Sequence, residues 1–451
     1  MNSEIAALIV VGLLLALAAA EVPIGLALAI AGSGGLLLTN QIPQIEAIVA
    51  ATPYASSSKY PLFVIPMFLL MGALLARTGV SREIFDCARL VFGRVRGGVA
   101  ATTVVATTIF SGISGSSVAD VATMGRVSIT EMRRSGYPTE YAAGIVAAAG
   151  AFAVLIPPNI GMVVYGLVSG ESIGKLLLAG IIPGGISAFA LVTYVVIRGV
   201  PKVLTTSGSG EHQIEVQAGD GADDELAHGV GIVASLRGGL FAFLIFGVMG
   251  GGLYTGVFTA TEAGAVGAML ALTLAVFVGR IQRLPKLLRA AIGETVETTS
   301  MVFLLLLGGA FLTYFIVSAN ISPAIAAWIG QQGGPPLIVA AVLLLLLVAL
   351  GMFLDGLSCI LLTIPIMAPI IGDLGLDGIW FGILALKAVE IGLITPPVGL
   401  NCYVIAGLFP QVRVERIFRA VAPLVVLDLI VTAIFFAFPD IILWLPSRAN
   451  F

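Results

Sequence analysis

A short polar break inside an apolar run is followed one long helix later by a Pro-Pro pair, and this happens twice in the chain. Ser114-Gly115-Ser116-Ser117 precedes Pro157-Pro158, and Asp355-Gly356-Leu357-Ser358 precedes Pro396-Pro397. The spacing from Ser116 to Pro157 equals that from Asp355 to Pro396, 41 residues in each half, and the halves are offset by 239. A glutamate among small residues, Glu21 and then Glu262, recurs at almost the same offset. Two membrane halves, each with an interrupted helix, are the pattern of a secondary transporter whose site lies where the repeats meet.

That argument needs a membrane, and composition supplies it. Hydrophobic residues make up 59% of the 451 and charged residues only 10%, with a mean hydropathy of +1.09. A water-soluble globule of this size does not have such a composition. Many segments reach the roughly 20 apolar residues that a spanning helix needs, and none alternates with the period of a membrane barrel. The prediction is an all-α polytopic membrane protein. The first apolar segment lacks a basic leader and reads as a retained helix. Cys87, Cys359 and Cys402 are odd in number and widely spaced, so neither a disulfide framework nor a zinc site is indicated.

Basic residues orient the chain. Arg77, Arg82, Arg89, Arg94 and Arg96 precede the first break, and Arg126, Arg133 and Arg134 follow it, which puts the base of that hairpin on the cytoplasmic side. Between Asn320 and Leu386 there is no Lys or Arg. The second hairpin is therefore expected to enter from the opposite face, as inverted-topology repeats require.

The resulting division places scaffold segments at 1–97 and 237–335. Segments 98–200 and 336–451 carry hairpins over 98–131 and 336–372 and broken helices over 140–168 and 379–407. An acidic cytoplasmic linker at 201–236 joins the halves and holds both histidines, His212 and His228. Segments 81–95 and 284–296 read as helices lying along the membrane surface.

Backbone exposed at mid-membrane depth must be buried in protein or line a cavity, so each break calls for a use. Serine hydroxyls and peptide carbonyls are hard oxygen ligands suited to Na⁺, and the N-terminus of a returning half-helix favours an anion. The alternative is a small-residue packing motif, which the recurrence at matched spacing disfavours. Two successive prolines force an unwound stretch and free carbonyls near Ala153, Ile156, Gly392 and Thr395.

Charge within the membrane is costly and calls for a partner or a role. Lys387 and Glu390, three apart on one helix, are predicted to form a structural ion pair. Asp355, in the second break with no base nearby in sequence, reads as a cation ligand, with helix capping as the competing account. Asp120 reads equally as a cap or an ion ligand. Glu21 and Glu262 read as interfacial.

The runs Phe110 to Asp120, Gly136-Tyr137-Pro138 through Pro158, Gly256 to Gly264, and Glu390 to Asn401 together resemble the large (M) permease subunit of tripartite ATP-independent periplasmic (TRAP) transporters, over essentially the whole chain. The resemblance implies an elevator-type fold like that of the ion-transporter superfamily, and Na⁺-coupled import of a carboxylate across the bacterial inner membrane. It also implies a periplasmic solute-binding (P) protein and a small four-helix membrane (Q) subunit as partners, the latter expected as a separate chain. One Na⁺ is then expected among Ser114, Ser116, Ile156 and Pro157, and a second among Asp355, Gly392, Thr395 and Pro396. Gly115, Ala153 and Ser358 complete the candidate sodium set. Ser116, Ser117, Pro158, Asn159, Gly356, Pro397, Val398 and Gly399 are the candidate substrate-facing residues. No cofactor beyond Na⁺, no transition metal and no nucleic acid is expected.

Three alternatives stay open on the sequence. A stand-alone Na⁺/dicarboxylate symporter shares the repeat pattern, and a channel shares the hydropathy. An intramembrane enzyme is disfavoured: Gly170-Glu171-Ser172-Ile173-Gly174 falls between helices with no strand before it, so the nucleophile-elbow setting is missing.

Overall fold

The structure is a computed structural model. It describes residues 3–39, 60–199, 232–278, 284–321 and 335–449, with residues 45, 46, 48, 50, 51, 54 and 58 between the first two stretches. Nearly all of the acidic linker, including both histidines, lies outside the described residues.

No strand occurs among the described residues. The first half runs α1 (Ser3–Ala19), α2 (Ile24–Leu38), α3 (Val64–Arg77), α4 (Val80–Phe92), α5 (Gly98–Ser114), α6 (Ser117–Arg134), α7 (Thr139–Ala153), α8 (Ile160–Ser169) and α9 (Ile173–Arg198). The second runs α10 (Ile232–Thr255), α11 (Ala260–Val278), α12 (Leu284–Ser318), α13 (Pro336–Gly351), α14 (Gly356–Asp373), α15 (Gly378–Leu393), α16 (Leu400–Leu408) and α17 (Val414–Ala437). Six of the described helical stretches are long and apolar enough to cross a membrane. The chain is a multi-pass membrane protein.

Each expected interruption is present, and local chemistry explains each. α5 stops where Gly115 takes φ 70°, a left-handed conformation that glycine adopts without a Cβ penalty. Ser116 then caps α6 by accepting from Ala119 N. Pro157 and Pro158 separate α7 from α8, and Asn159 Oδ1 restarts the helix by accepting from Met162 N at 3.1 Å. In the second half Asp355 caps α14, and Pro396 and Pro397 separate α15 from α16. Such caps contribute about 0.5–2 kcal/mol each.

One expectation is corrected. Segment 284–296 is not a separate surface helix but the first turns of α12, which runs unbroken to Ser318. The polar run Thr298-Thr299-Ser300 contains no proline, so the helical ladder passes through it and satisfies the backbone internally.

The broken helices form the centre. α7 is buried on every face from Ala142 to Ala153, and α15 from Ile379 to Leu393. A helix apolar all round belongs in the interior. Small residues permit close contact there: a Cβ on Gly392 would lie 2.6 Å from Val348 O. α13 and α15 therefore approach with backbone nearly touching backbone. Around this centre α2 packs on α12 and α3 on α11, so elements from the two halves interleave.

Candidate functional site

A cavity of about 360 Å³ lies where the interruptions meet. Ser117, Ile160, Gly356 and Leu400, the first residues of α6, α8, α14 and α16, all line it. Four half-helices thus bring their N-termini, the positive ends of their helix dipoles, to one space. Leu69, Gly72, Ala73 and Ala76 of α3 and Glu294, Thr298 and Met301 of α12 complete the lining.

Charge on the lining is of one sign. Glu294, Asp355 and Glu390 are its charged residues, and no Lys or Arg is among them. Glu390 lies at the cavity wall with Oε1 accepting from Ser117 Oγ at 3.1 Å. Asp120, fully buried one turn into α6, accepts from Ser114 Oγ. Ser114 Oγ in turn receives Ser116 N at 3.2 Å, which closes the first break into a small ring of hydrogen bonds.

Asp355 is fully engaged as a cap. Its Oδ1 accepts from Leu357 N and Ser358 N, each at 3.1 Å, and its Oδ2 from the Ser358 hydroxyl. The competing account from the sequence is thus the geometry observed, and any cation would share a carboxylate already holding the helix.

The carbonyls expected to be freed by proline are partly used. Ala153 O accepts from Ile156 N at 3.0 Å and Gly392 O from Thr395 N at 2.9 Å. The Thr395 hydroxyl donates to Ile391 O at 2.5 Å. Each carbonyl oxygen keeps a second lone pair.

The candidate residues separate into groups. Ser114, Gly115, Ser116, Ser117, Asn159, Asp355 and Gly356 line the large cavity together. Ile156, Pro157 and Pro158 instead line a second, apolar cavity of about 240 Å³ with Phe68, Phe246 and Met249. Pro158, expected to face substrate, lines this apolar cavity, and its carbonyl lies close to Gly115. Pro396, Pro397 and Val398 are exposed and, like Gly399, absent from the cavity lining. Gly399 N reaches back to Met352 O at 3.3 Å, tying the second proline break to the second hairpin.

The predicted Lys387–Glu390 ion pair is also corrected. Lys387 Nζ lies 2.6 Å from Asp428 Oδ1, both side chains wholly buried, and 4.5 Å from the centre of the Phe152 ring. Spacing on one helix allows a pair, but a carboxylate on the neighbouring α17 comes closer, which leaves Glu390 to Ser117. Asp428, a lone acid in an apolar span, is detectable by the intramembrane-charge argument applied to the other acids. Glu262 accepts from Thr259 N at 2.8 Å in a capping box at the exposed start of α11, in keeping with an interfacial residue.

A sequence model of the tripartite ATP-independent periplasmic transporter, DctM component, matches residues 11–441. The C4-dicarboxylate TRAP transporter large permease protein of Pseudomonas aeruginosa is 34% identical over 415 residues, covering 92% of this chain and 93% of that one. The sialic acid TRAP transporter large permease protein of Vibrio cholerae is 30% identical, covering 95% of each. Among solved structures, the YdaH transporter of Alcanivorax borkumensis is similar in fold, with a TM-score of 0.62 and 12% identity over 88% of this chain and 89% of that one.

Proposed function

This chain belongs to the DctM family, the large permease subunits of TRAP transporters, and from that premise we propose that it imports a small organic acid across the bacterial inner membrane, coupled to Na⁺. The observation that carries the reading is the cavity with four half-helix N-termini, three carboxylates and no basic side chain in its lining. Helix N-termini suit a carboxylate ligand. The acids oppose it: a second negative charge about 6 Å from one of them costs about 3 kcal/mol at an effective dielectric of 20. Cations bound first remove that cost, and this is the physical basis of coupling in the proposal.

The proposed cations sit at the two hairpin breaks, with Ser114, Gly115 and Ser116 contributing to one site and Asp355 with carbonyls of the α15–α16 break to the other. Ser117, Asn159 and Gly356 then face the substrate. α3 and α12 share the lining of the cavity with the hairpins and broken helices, which supports an elevator in which the second set slides past the first. Relatives named for C4-dicarboxylate and sialic acid support an organic acid as cargo. A periplasmic binding protein and a small membrane subunit are the proposed partners, in keeping with the tripartite family.

The test is uptake into proteoliposomes that hold this chain and the small subunit, with the binding protein outside. Uptake under an inward Na⁺ gradient and none under K⁺ is expected; equal uptake under both overturns the coupling.

A further inference from the structure

We propose that Arg77 is a carboxylate-binding residue at the cytoplasmic rim of the cavity, and that Glu294 is its built-in placeholder, holding the guanidinium until an anionic substrate displaces it. The proposal rests on the import reading above and adds to it a residue that recognises cargo on the way out.

The cavity supplies the need for such a residue. Its charged lining is acidic, and the one lysine of α15, Lys387, is sealed against Asp428. Arg77 reaches the wall from the last turn of α3. Its Nη1 donates to Ala73 O at 3.3 Å and to the Glu294 carboxylate, and Ala73 and Glu294 both line the cavity. The guanidinium is therefore held at the cavity edge by two groups that already face the interior.

The chemistry of the pair makes exchange easy. A guanidinium presents a planar fork that matches a carboxylate, and Glu294 offers the same group that an organic acid would bring. The side chains are 34% and 49% exposed, so solvent screens the pair and neither charge is stranded when it opens. Lys387 and Asp428 are the contrast: both are 0% exposed, and parting them would leave two buried charges alone. One ion pair is fixed in place, while the other can trade partners.

Position gives the direction. Arg82, Arg89, Arg94 and Arg96 follow Arg77 closely, which puts this end of α3 on the cytoplasmic side. An acid leaving the half-helix N-termini for the cytoplasm passes Arg77 next.

Exchange from the inside tests the idea. Proteoliposomes of the full chain with its small subunit are loaded with graded succinate, the probe, and counterflow of external labelled succinate is measured at saturating Na⁺. Arg77→Gln should raise the internal concentration for half-maximal exchange about tenfold or more, with the Na⁺ requirement unchanged. Glu294→Gln should lower it, because the competitor is gone, and Arg77→Gln/Glu294→Gln should match Arg77→Gln. A purely structural pair moves both single variants in the same direction, and that result overturns the proposal. So does Arg77→Gln with wild-type exchange, while Glu294→Gln keeps the question open to decision if Arg77→Gln fails to assemble. Wild-type liposomes that exchange no succinate under any Na⁺ gradient would instead refute import of a four-carbon acid, and the proposal built on it.

Discussion

Ser117 and Glu390, 273 positions apart in sequence, are joined by a hydrogen bond of 3.1 Å between buried side chains at the cavity wall. The bond ties the returning half-helix of the first hairpin to the second broken helix, so the two halves share one wall. Glu390→Gln keeps an acceptor for Ser117 while removing the charge. It should preserve assembly and raise the Na⁺ concentration for half-maximal uptake. Ser117→Ala should cost about 1 kcal/mol of stability in the wild type and nearly nothing in Glu390→Ala. Additive losses in that double-mutant cycle, read from thermal melts, would show that the bond contributes nothing.

Asp355 caps α14 and is the proposed Na⁺ ligand, and one substitution can separate the two. Asparagine retains the acceptor for Leu357 N and Ser358 N, and Asn and Asp cap about equally well. Asp355→Asn should therefore keep the melting temperature while raising the Na⁺ requirement or abolishing uptake. Ser114→Ala should shift the Na⁺ requirement less, since a neutral hydroxyl is lost. Normal Na⁺ affinity in Asp355→Asn would reduce the residue to a helix cap.

Lys387 and Asp428 fasten α15 to α17, and Phe152 of α7 lies beneath the ammonium. Removing one partner strands a charge in the core. Lys387→Met should lose about 3–5 kcal/mol, whereas Lys387→Met/Asp428→Leu should recover most of it. Melting in lipid nanodiscs reads this out; a double variant as unstable as the single would mean that packing around Lys387, not its charge, is what the core needs.

These residues mark how far the sequence is legible. Gly115, Asp355 and the proline pairs act on their own neighbours, by φ, by capping or by a missing N–H, so the interruptions are readable from local chemistry. The partner of Lys387 is a choice between Glu390 on its own helix and Asp428 on another, and only packing decides it. The same holds for Glu294 and Thr298, which face the cavity across space from the hairpins. Pro397 and Val398 resemble Pro158 and Asn159 in motif, yet their exposure depends on what covers them.

Glu171, in the loop between α8 and α9, gives a pH signature outside the spanning segments. Burial raises its carboxyl pKa above the ordinary value, Asp377 raises it further, and Lys175 lowers it. A raised folded-state value means that the folded chain holds the proton more tightly, so this contribution stabilises at low pH and is lost as pH rises through the raised value. Glu171→Gln should be more stable than wild type above that range and should flatten the change in melting temperature between pH 4.5 and pH 8. An unchanged slope would mean that the loop opens to solvent.

The proposed elevator, with the hairpins sliding past α3, predicts a contact that changes during transport. Ser116 at the first hairpin break and Ala73 of α3 line the same cavity. With Cys87, Cys359 and Cys402 replaced by serine or alanine, the pair Ser116→Cys and Ala73→Cys should crosslink in one state of the cycle. Na⁺, substrate and the binding protein together should alter the yield, because a body that carries Ser116 along the membrane normal leaves Ala73 behind. A rocking or channel-like mechanism keeps both residues at the same depth. A yield that does not respond to any combination of the three would therefore count against an elevator and leave Na⁺ coupling to be explained by local gating at the hairpin tips.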